Sequence, residues 1–282
     1  MYSHSTEATV GVRFEENELH LTAKTNLGTT VKSDIVKKPF STVSDIKGEV
    51  RTWDQYKAFV STLLGQINLF RGQPKPWKLR TAFHRKGRYD LSRFQTDDIP
   101  ILHRRLSART SHVFNLEIPN ENGAFLNLVQ HHGYPTPLLD WTYSPYVAAF
   151  FAFRGLPKNN ESGELVRVYI FDQEQWKSHW GQLVMLNVAG LHLSVMEFLA
   201  IENERLIPQQ AATTVTNIDD IESYVREKET EKRCTYLRAI DIPASERNTV
   251  MQELSFMGIT AGSMFPGLDG ACEELREKMF SE

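Results

Sequence analysis

The sequence predicts a mixed α+β fold in which helices and short strands follow one another without a fixed rhythm. Three observations carry this expectation. Residues 9–24 alternate with period two: Val10, Val12 and Phe14, then Leu19, Leu21 and Ala23, around the polar Glu15-Glu16-Asn17. Residues 53–64 instead place Trp53, Tyr56, Phe59, Val60, Leu63 and Leu64 on one helical face. Later segments of both kinds are interspersed, and the regular β-α-β succession of a doubly wound sheet is missing.

Each element has its own signal. Residues 1–48 form an N-terminal β extension opened by the 9–24 hairpin, and residues 49–282 form the main domain. Thr52 caps the first helix, and Gly65 ends it. Ile67 to Phe70 reads as a short buried strand entering Arg71-Gly72. Helices are expected over Ile99 to Arg109 and over Asn122 to His131. Pro145 suits the first turn of a helix reaching Phe153, with Ser144 as its cap. Leu165 to Phe171 is the clearest single strand. His192 to Leu199 reads as helical, Arg205 to Ile207 as extended and Ile218 to Thr230 as helical. Strand Tyr236 to Ile240, a helix from Ser245 to Met257 stopped by Gly258, and a last helix over Gly270 to Phe280 close the chain.

Composition narrows the function classes. With 41% hydrophobic and 24% charged residues the chain is an ordinary globule with enough length for a substantial core. Met1 to Val10 has neither the basic nor the apolar region of a secretory leader. The longest apolar run, Tyr146 to Phe153, is too short to cross a bilayer, so no membrane association is expected. Only Cys234 and Cys272 are present, which gives no disulfide framework and no zinc cluster and points to a reduced, cytoplasmic location. The net charge of -3 conceals a basic block: Arg71 to His112 holds eleven Lys/Arg against three acids, 11 - 3 = +8. Such a block suits a polyphosphate or nucleic acid, or is a solvated face.

Three stretches carry candidate chemistry. In Leu69-Phe70-Arg71-Gly72, an arginine leaves a buried strand next to a glycine. Its planar fork pairs two phosphate oxygens, and Gly72 lets a ligand approach the backbone; the structural alternative is a bridge to a carboxylate. In Gln130-His131-His132-Gly133-Tyr134-Pro135-Thr136-Pro137-Leu138-Leu139-Asp140-Trp141-Thr142, Asp140 is either a hydrogen-bond hub or a catalytic acid. Strand alternation sets Asp140, Thr142 and Ser144 on one side and Trp141 and Tyr143 on the other. The adjacent His131 and His132 point about 100° apart at a helix end, so no metal is expected; His132 suits a substrate contact at a rim. In Ile201-Glu202-Asn203-Glu204-Arg205-Leu206-Ile207-Pro208-Gln209-Gln210, two carboxylates precede a short strand and could face an oxocarbenium-like centre, or form an exposed charged loop.

The segments Phe70-Arg71-Gly72, Gln130 to Thr136, Leu138 to Thr142 with Ser144-Pro145, and Phe265-Pro266-Gly267-Leu268-Asp269-Gly270 resemble the FRG-domain family over about Thr52 to Lys278. Pro137 stands where that family usually has an arginine, a contact that Arg80 could supply. The order Arg71, Thr142-Tyr143-Ser144, Glu202-Asn203-Glu204 is also similar to the Arg, Ser-Thr-Ser, Glu-x-Glu signature of toxin-type ADP-ribosyltransferases. That resemblance implies a split β-sheet core with surrounding helices and NAD as a substrate, without metal. It makes Arg71 the NAD anchor with Gly72 and Arg80 beside it, and His132, Asp140, Trp141, Thr142, Tyr143, Ser144 and Tyr146 the pocket, with an aromatic ring stacked on nicotinamide. Glu204 becomes catalytic and Glu202 positions the acceptor. The Arg-x-x-x-Gln string of the FRG family, matched by Arg205 and Gln209, makes Gln209 the rival of Glu204.

The expected function is therefore an NAD-dependent ADP-ribosyltransferase in a bacterial toxin or phage-defence setting. Its acceptor is a nucleic acid, RNA favoured by the basic block, or a protein, and an inhibitor or antitoxin protein could restrain it. The alternatives are a nucleotide- or RNA-binding module without chemistry and an NAD glycohydrolase using Asp140 with Glu204. The side of the molecule that Glu204 faces discriminates between them.

Overall fold

The computed structural model describes residues 5–15, 18–36, 41–157, 163–183 and 190–280, which fall into two compact units, 1–42 and 43–282. The first unit is an antiparallel sheet of β1 (Ala8–Glu15), β2 (Glu18–Thr25) and β3 (Thr30–Val36), with β2 central. The period-two pattern puts Val10 opposite Ala23 and Val12 opposite Leu21. The turn expected at 16–17 lies outside the described residues. The unit ends before the Gly48 boundary suggested by composition.

The second unit is mixed α+β. Its sheet has the order β4 (Glu49–Val50), β10 (Leu237–Pro243), β7 (Leu165–Asp172), β5 (Asn68–Gln73), β6 (Leu138–Thr142), β9 (Ala211–Thr216) and β8 (Leu193–Met196). Only the β4–β10 pair is parallel. The helices are α1 (Trp53–Ser61), the short α2 (Ala82–Arg85) and α3 (Leu91–Arg93), a π-turn over Phe94–Asp98, α4 (Ile99–Leu106), α5 (Pro119–His131), α6 (Pro145–Phe153), α7 (Gln173–His179), α8 (Ile221–Lys232), α9 (Arg247–Phe256), α10 (Ala261–Met264) and α11 (Leu268–Met279). Among the described residues no helix is long and apolar enough to cross a membrane.

Local chemistry explains the elements that were legible. Thr52 accepts from the Gln55 amide while Gln55 Oε1 accepts from the Thr52 amide, a capping box that starts α1. Ser144 accepts from the Val147 amide, and Pro145 opens α6, an apolar helix whose Val147 to Phe150, Ala152 and Phe153 are buried. That helix packs on β5 so closely that a Cβ at Gly72 would collide with the Ala148 carbonyl oxygen. Gly72 thus admits a helix, and it also borders the cavity described below.

Two expectations fail. Residues 192–199 contain strand β8 where a helix was expected. Leu193 and Val195 enter one core, and Ser194 is also buried and accepts from the Leu183 amide, so the strand is covered on both faces and its short run lacks a readable period. Residues 205–207 turn instead of extending, between Glu202 and Gln210, whose left-handed backbones (φ 54° and 45°) cannot belong to a strand. The strand follows, as β9.

Candidate functional site

β5 and β6 meet through a single registered pair, Phe70 with Thr142, whereas β5 pairs with β7 from Asn68 to Gln73. Beyond that one bridge the two strands are joined by a side chain: Arg71 Nη1 donates to the Asp140 carbonyl oxygen at 2.5 Å. A cavity of about 310 Å³ opens here. β5 supplies Phe70 to Gly72, β6 supplies Asp140 to Thr142, and α6 supplies Ala148, Phe151 and the adjoining Arg154. Gln130 and His131 come from the end of α5, Arg205, Gln209 and Ala211 from the approach to β9, and Phe265 from the end of α10.

Arg71 is poorly matched by the protein. Burial lowers its pKa, and the nearby Arg85 charge adds to this, while Asp140 opposes it. The side chain still carries its charge, since guanidinium does not deprotonate in proteins. Its Nε is buried without a partner, and Nη2 has no acceptor among the described residues. Arg205 is similar: Nη1 donates to the His131 carbonyl at 2.8 Å, and no carboxylate pairs with it among the described residues. Arg154, in contrast, is fixed by Glu273 through two 2.6 Å bonds. Both Arg154 and Arg205 lie against Phe265, at 3.9 and 5.4 Å from the ring centre.

The polar wall is a chain of locked groups. Thr136 donates to Gln130 Oε1, and Gln130 donates through Nε2 to Asp140 Oδ1. Thr142 Oγ1 donates to the Gln209 carbonyl at 2.7 Å, and Gln209 Nε2 donates to the Met264 carbonyl at 2.9 Å. Asp140 is the single carboxylate that lines the cavity among the described residues. Among the described residues no cluster of His, Cys, Asp or Glu could hold a metal ion.

The structure brings Arg71, Gly72, Asp140, Trp141, Thr142 and Gln209 together at one cavity and leaves the other expected residues elsewhere. Trp141 offers little surface to a ligand: its ring packs on Phe171 at 5.6 Å, and its N–H donates to Thr214. Glu204 is exposed and Glu202 accepts from the His112 amide at 2.5 Å; neither lines the cavity, because the left-handed turn at Glu202 directs Asn203 inward instead. Asn203 is buried and donates to Asn127 Oδ1. Ser144 caps α6, Tyr143 donates to Glu197, and Tyr146 packs edge-on to Trp53. His132 is exposed while His131 takes the rim, and Arg80 pairs with Asp219 through two nitrogens. Arg154 and Phe265 were not selected from the sequence as site residues. The Phe265-Pro266-Gly267 string was visible, but nothing local says that it folds back on Arg71.

Residues 66–161 match the model of the FRG domain. Over this stretch the chain is similar to the FRG domain. No curated protein and no solved structure matches the chain. The matched stretch of the FRG domain contains the β5, β6 and α6 walls; Arg205, Gln209, Ala211 and Phe265 lie beyond it.

Proposed function

We propose that the cavity beside Arg71 is a nucleotide site and that its ligand is a dinucleotide of the NAD type. The carrying observation is the pair of incompletely matched guanidiniums, Arg71 and Arg205, converging on one cavity beside an aromatic ring. Charged donors without protein acceptors suit a diphosphate, and Phe265 suits a flat ring. At about 310 Å³ the cavity is at the small end of ligand sites, so one half of the dinucleotide enters and the other crosses the rim.

ADP-ribosyl transfer is the second reading, and one observation favours it: Arg71, Thr142 and Gln209 come from β5, β6 and the entrance to β9, neighbours in the sheet, and the Asp140 carboxylate lines the same cavity. In this reading nicotinamide departs with the electron pair of its bond to ribose. An acceptor oxygen or nitrogen then bonds to the ribose carbon and releases its proton. Asp140 faces the transient positive charge, the role the resemblance gave to Glu204. The loose β5–β6 junction supports the split-sheet likeness. The toxin or defence setting and an inhibitor protein rest on the resemblance alone.

The test is calorimetric titration of the full chain with NAD, together with labelled NAD offered to separate RNA, DNA and protein pools. Binding weakened about 10–100-fold in Arg71→Ala supports the site, and unchanged binding in that variant refutes it. Transfer abolished in Asp140→Asn with binding retained supports the transferase. Nicotinamide release without transfer identifies a glycohydrolase, and binding without release identifies a binding module. Transfer that survives Asp140→Asn and disappears in Glu204→Gln returns catalysis to Glu204.

A further inference from the structure

Apart from Arg71 at the cavity and Lys75, which pairs with Glu164 at 3.5 Å, the +8 block resolves into two parts with different electrostatics. In the first, charges are matched. Lys78 pairs with Asp45 and Asp220, each at 2.9 Å, Arg80 with Asp219, Arg88 with Asp98, and Arg93 with Asp97 at 3.5 Å. The block's own acids are all engaged here, Asp90 accepting from the Arg93 amide at 2.9 Å. The second part has no counter-ions among the described residues. Arg85, Lys86, Arg104, Arg105 and Arg109 are exposed, and no ion pair forms at any of them among the described residues. Two cations in the last turn of α4 improve its dipole by a few tenths of a kcal/mol each, but Arg109 lies past that turn and Arg85 and Lys86 belong to another helix.

Contacts link the segments that carry these five cations. The Arg88–Asp98 pair ties the chain after α2 to the start of α4. From Asp98 to Arg104 the helix rises about 9 Å. At the other end α2 abuts the cavity wall: the Phe83 amide donates to the Thr136 carbonyl at 3.1 Å, and Thr136 donates to Gln130, which lines the cavity. Beyond Arg109, the His112 amide donates to Glu202, next to the Asn203 that holds His131 at the cavity rim. Tyr89, three residues after Lys86, is 59% exposed; its hydroxyl accepts from Arg80 Nη2 at 3.1 Å and its ring lies 5.9 Å from that of His84.

We propose that Arg85, Lys86, Arg104, Arg105 and Arg109 form a track for single-stranded nucleic acid, with Tyr89 as a stacking platform, that delivers a nucleotide to the cavity mouth. Four of the five cations are arginines, whose forks match phosphate oxygens, and single strands are gripped by just such combinations of basic groove and exposed ring. The idea deepens the nucleotide-site reading by naming the polymer that meets the cavity, yet it rests on different residues.

The experiment is fluorescence anisotropy of the full chain with labelled 20-nucleotide poly(U) and poly(dT) between 50 and 200 mM salt, beside Arg104→Gln/Arg105→Gln/Arg109→Gln and Tyr89→Ala. The expected result is binding of at least one strand, weakened at least tenfold in the triple variant. The log–log salt slope should fall by about 2, near 0.7 per lost phosphate contact. Preference for poly(U) over poly(dT) identifies RNA; the reverse identifies DNA. NAD titration of the triple variant should match the wild type. No binding of either strand, an unaltered triple variant, or equal binding of polyglutamate overturns the track. Wild-type strand binding without NAD binding overturns the cavity reading and leaves the track intact.

Discussion

Two arginines on adjacent strands of the same sheet have opposite fates. Arg167 on β7 is buried and saturated. Asp241 accepts from its Nε and Nη2 at 2.7 and 2.8 Å, and the Ile46 carbonyl accepts from Nη1 at 2.9 Å. Hydrogen bonding and the Asp241 charge outweigh desolvation and raise its pKa. Arg71 on β5, two positions away in the β5–β7 register, has one carbonyl, an unpartnered Nε and a pKa lowered by burial. A buried charge with an acceptor at every nitrogen belongs to the architecture. A half-buried charge left short is a cost that the fold carries for something else, and here it sits at a cavity. The sequence gives both residues the same look, an arginine in an apolar strand.

The contrast can be broken most forcefully at the saturated arginine. Asp241→Ala should cost about 3–5 kcal/mol by leaving Arg167 buried and unpaired, seen as a lower denaturant midpoint. Arg167→Met with Asp241→Leu should cost clearly less, and an equal or larger loss would mean the pair is more than a matched charge. Arg71→Ala should move the midpoint little while NAD affinity falls about 10–100-fold, the size of one charge-assisted hydrogen bond. A large stability loss with unchanged affinity would make Arg71 architectural too. Glu204→Gln should leave stability and NAD affinity within about twofold, as exposed sites do.

A smaller effect is carried by two buried imidazoles. Burial lowers the pKa of His84 and of His192 below the ordinary 6.5. The unfolded chain then takes up protons first as pH falls, so these groups contribute full stability above about 6.5, and it is lost as pH falls through their folded values. Melting curves between pH 5 and 7.5 should show this loss in the wild type and a shallower one in His84→Gln.

The elements easiest to foresee were those with local causes: α6 from Ser144 and Pro145, α1 from its capping box, β7 from its apolar run. At the site, Arg71, Asp140, Thr142 and Gln209 were visible because each stands in a dense, chemically distinctive string. What stayed hidden was non-local. Whether Glu204 or Asn203 turns inward is decided by one left-handed residue, Glu202, and that conformation has no glycine to announce it. Arg154 hides in an apolar helix, and its role follows from Glu273 and Phe265, which arrive more than a hundred residues later.

That distance has a consequence during synthesis. Phe265 leaves the ribosome 194 residues after Arg71 (265 - 71), which at 5–20 residues per second is about 10–40 s later. Until then the cavity has no far wall, Gln209 has no Met264 carbonyl to hold it, and Arg154 has no Glu273. The nascent chain already displays the FRG-matched strands and helix, yet it has nowhere to close on a ligand. Completion of the site is thus timed by translation of α10 and α11.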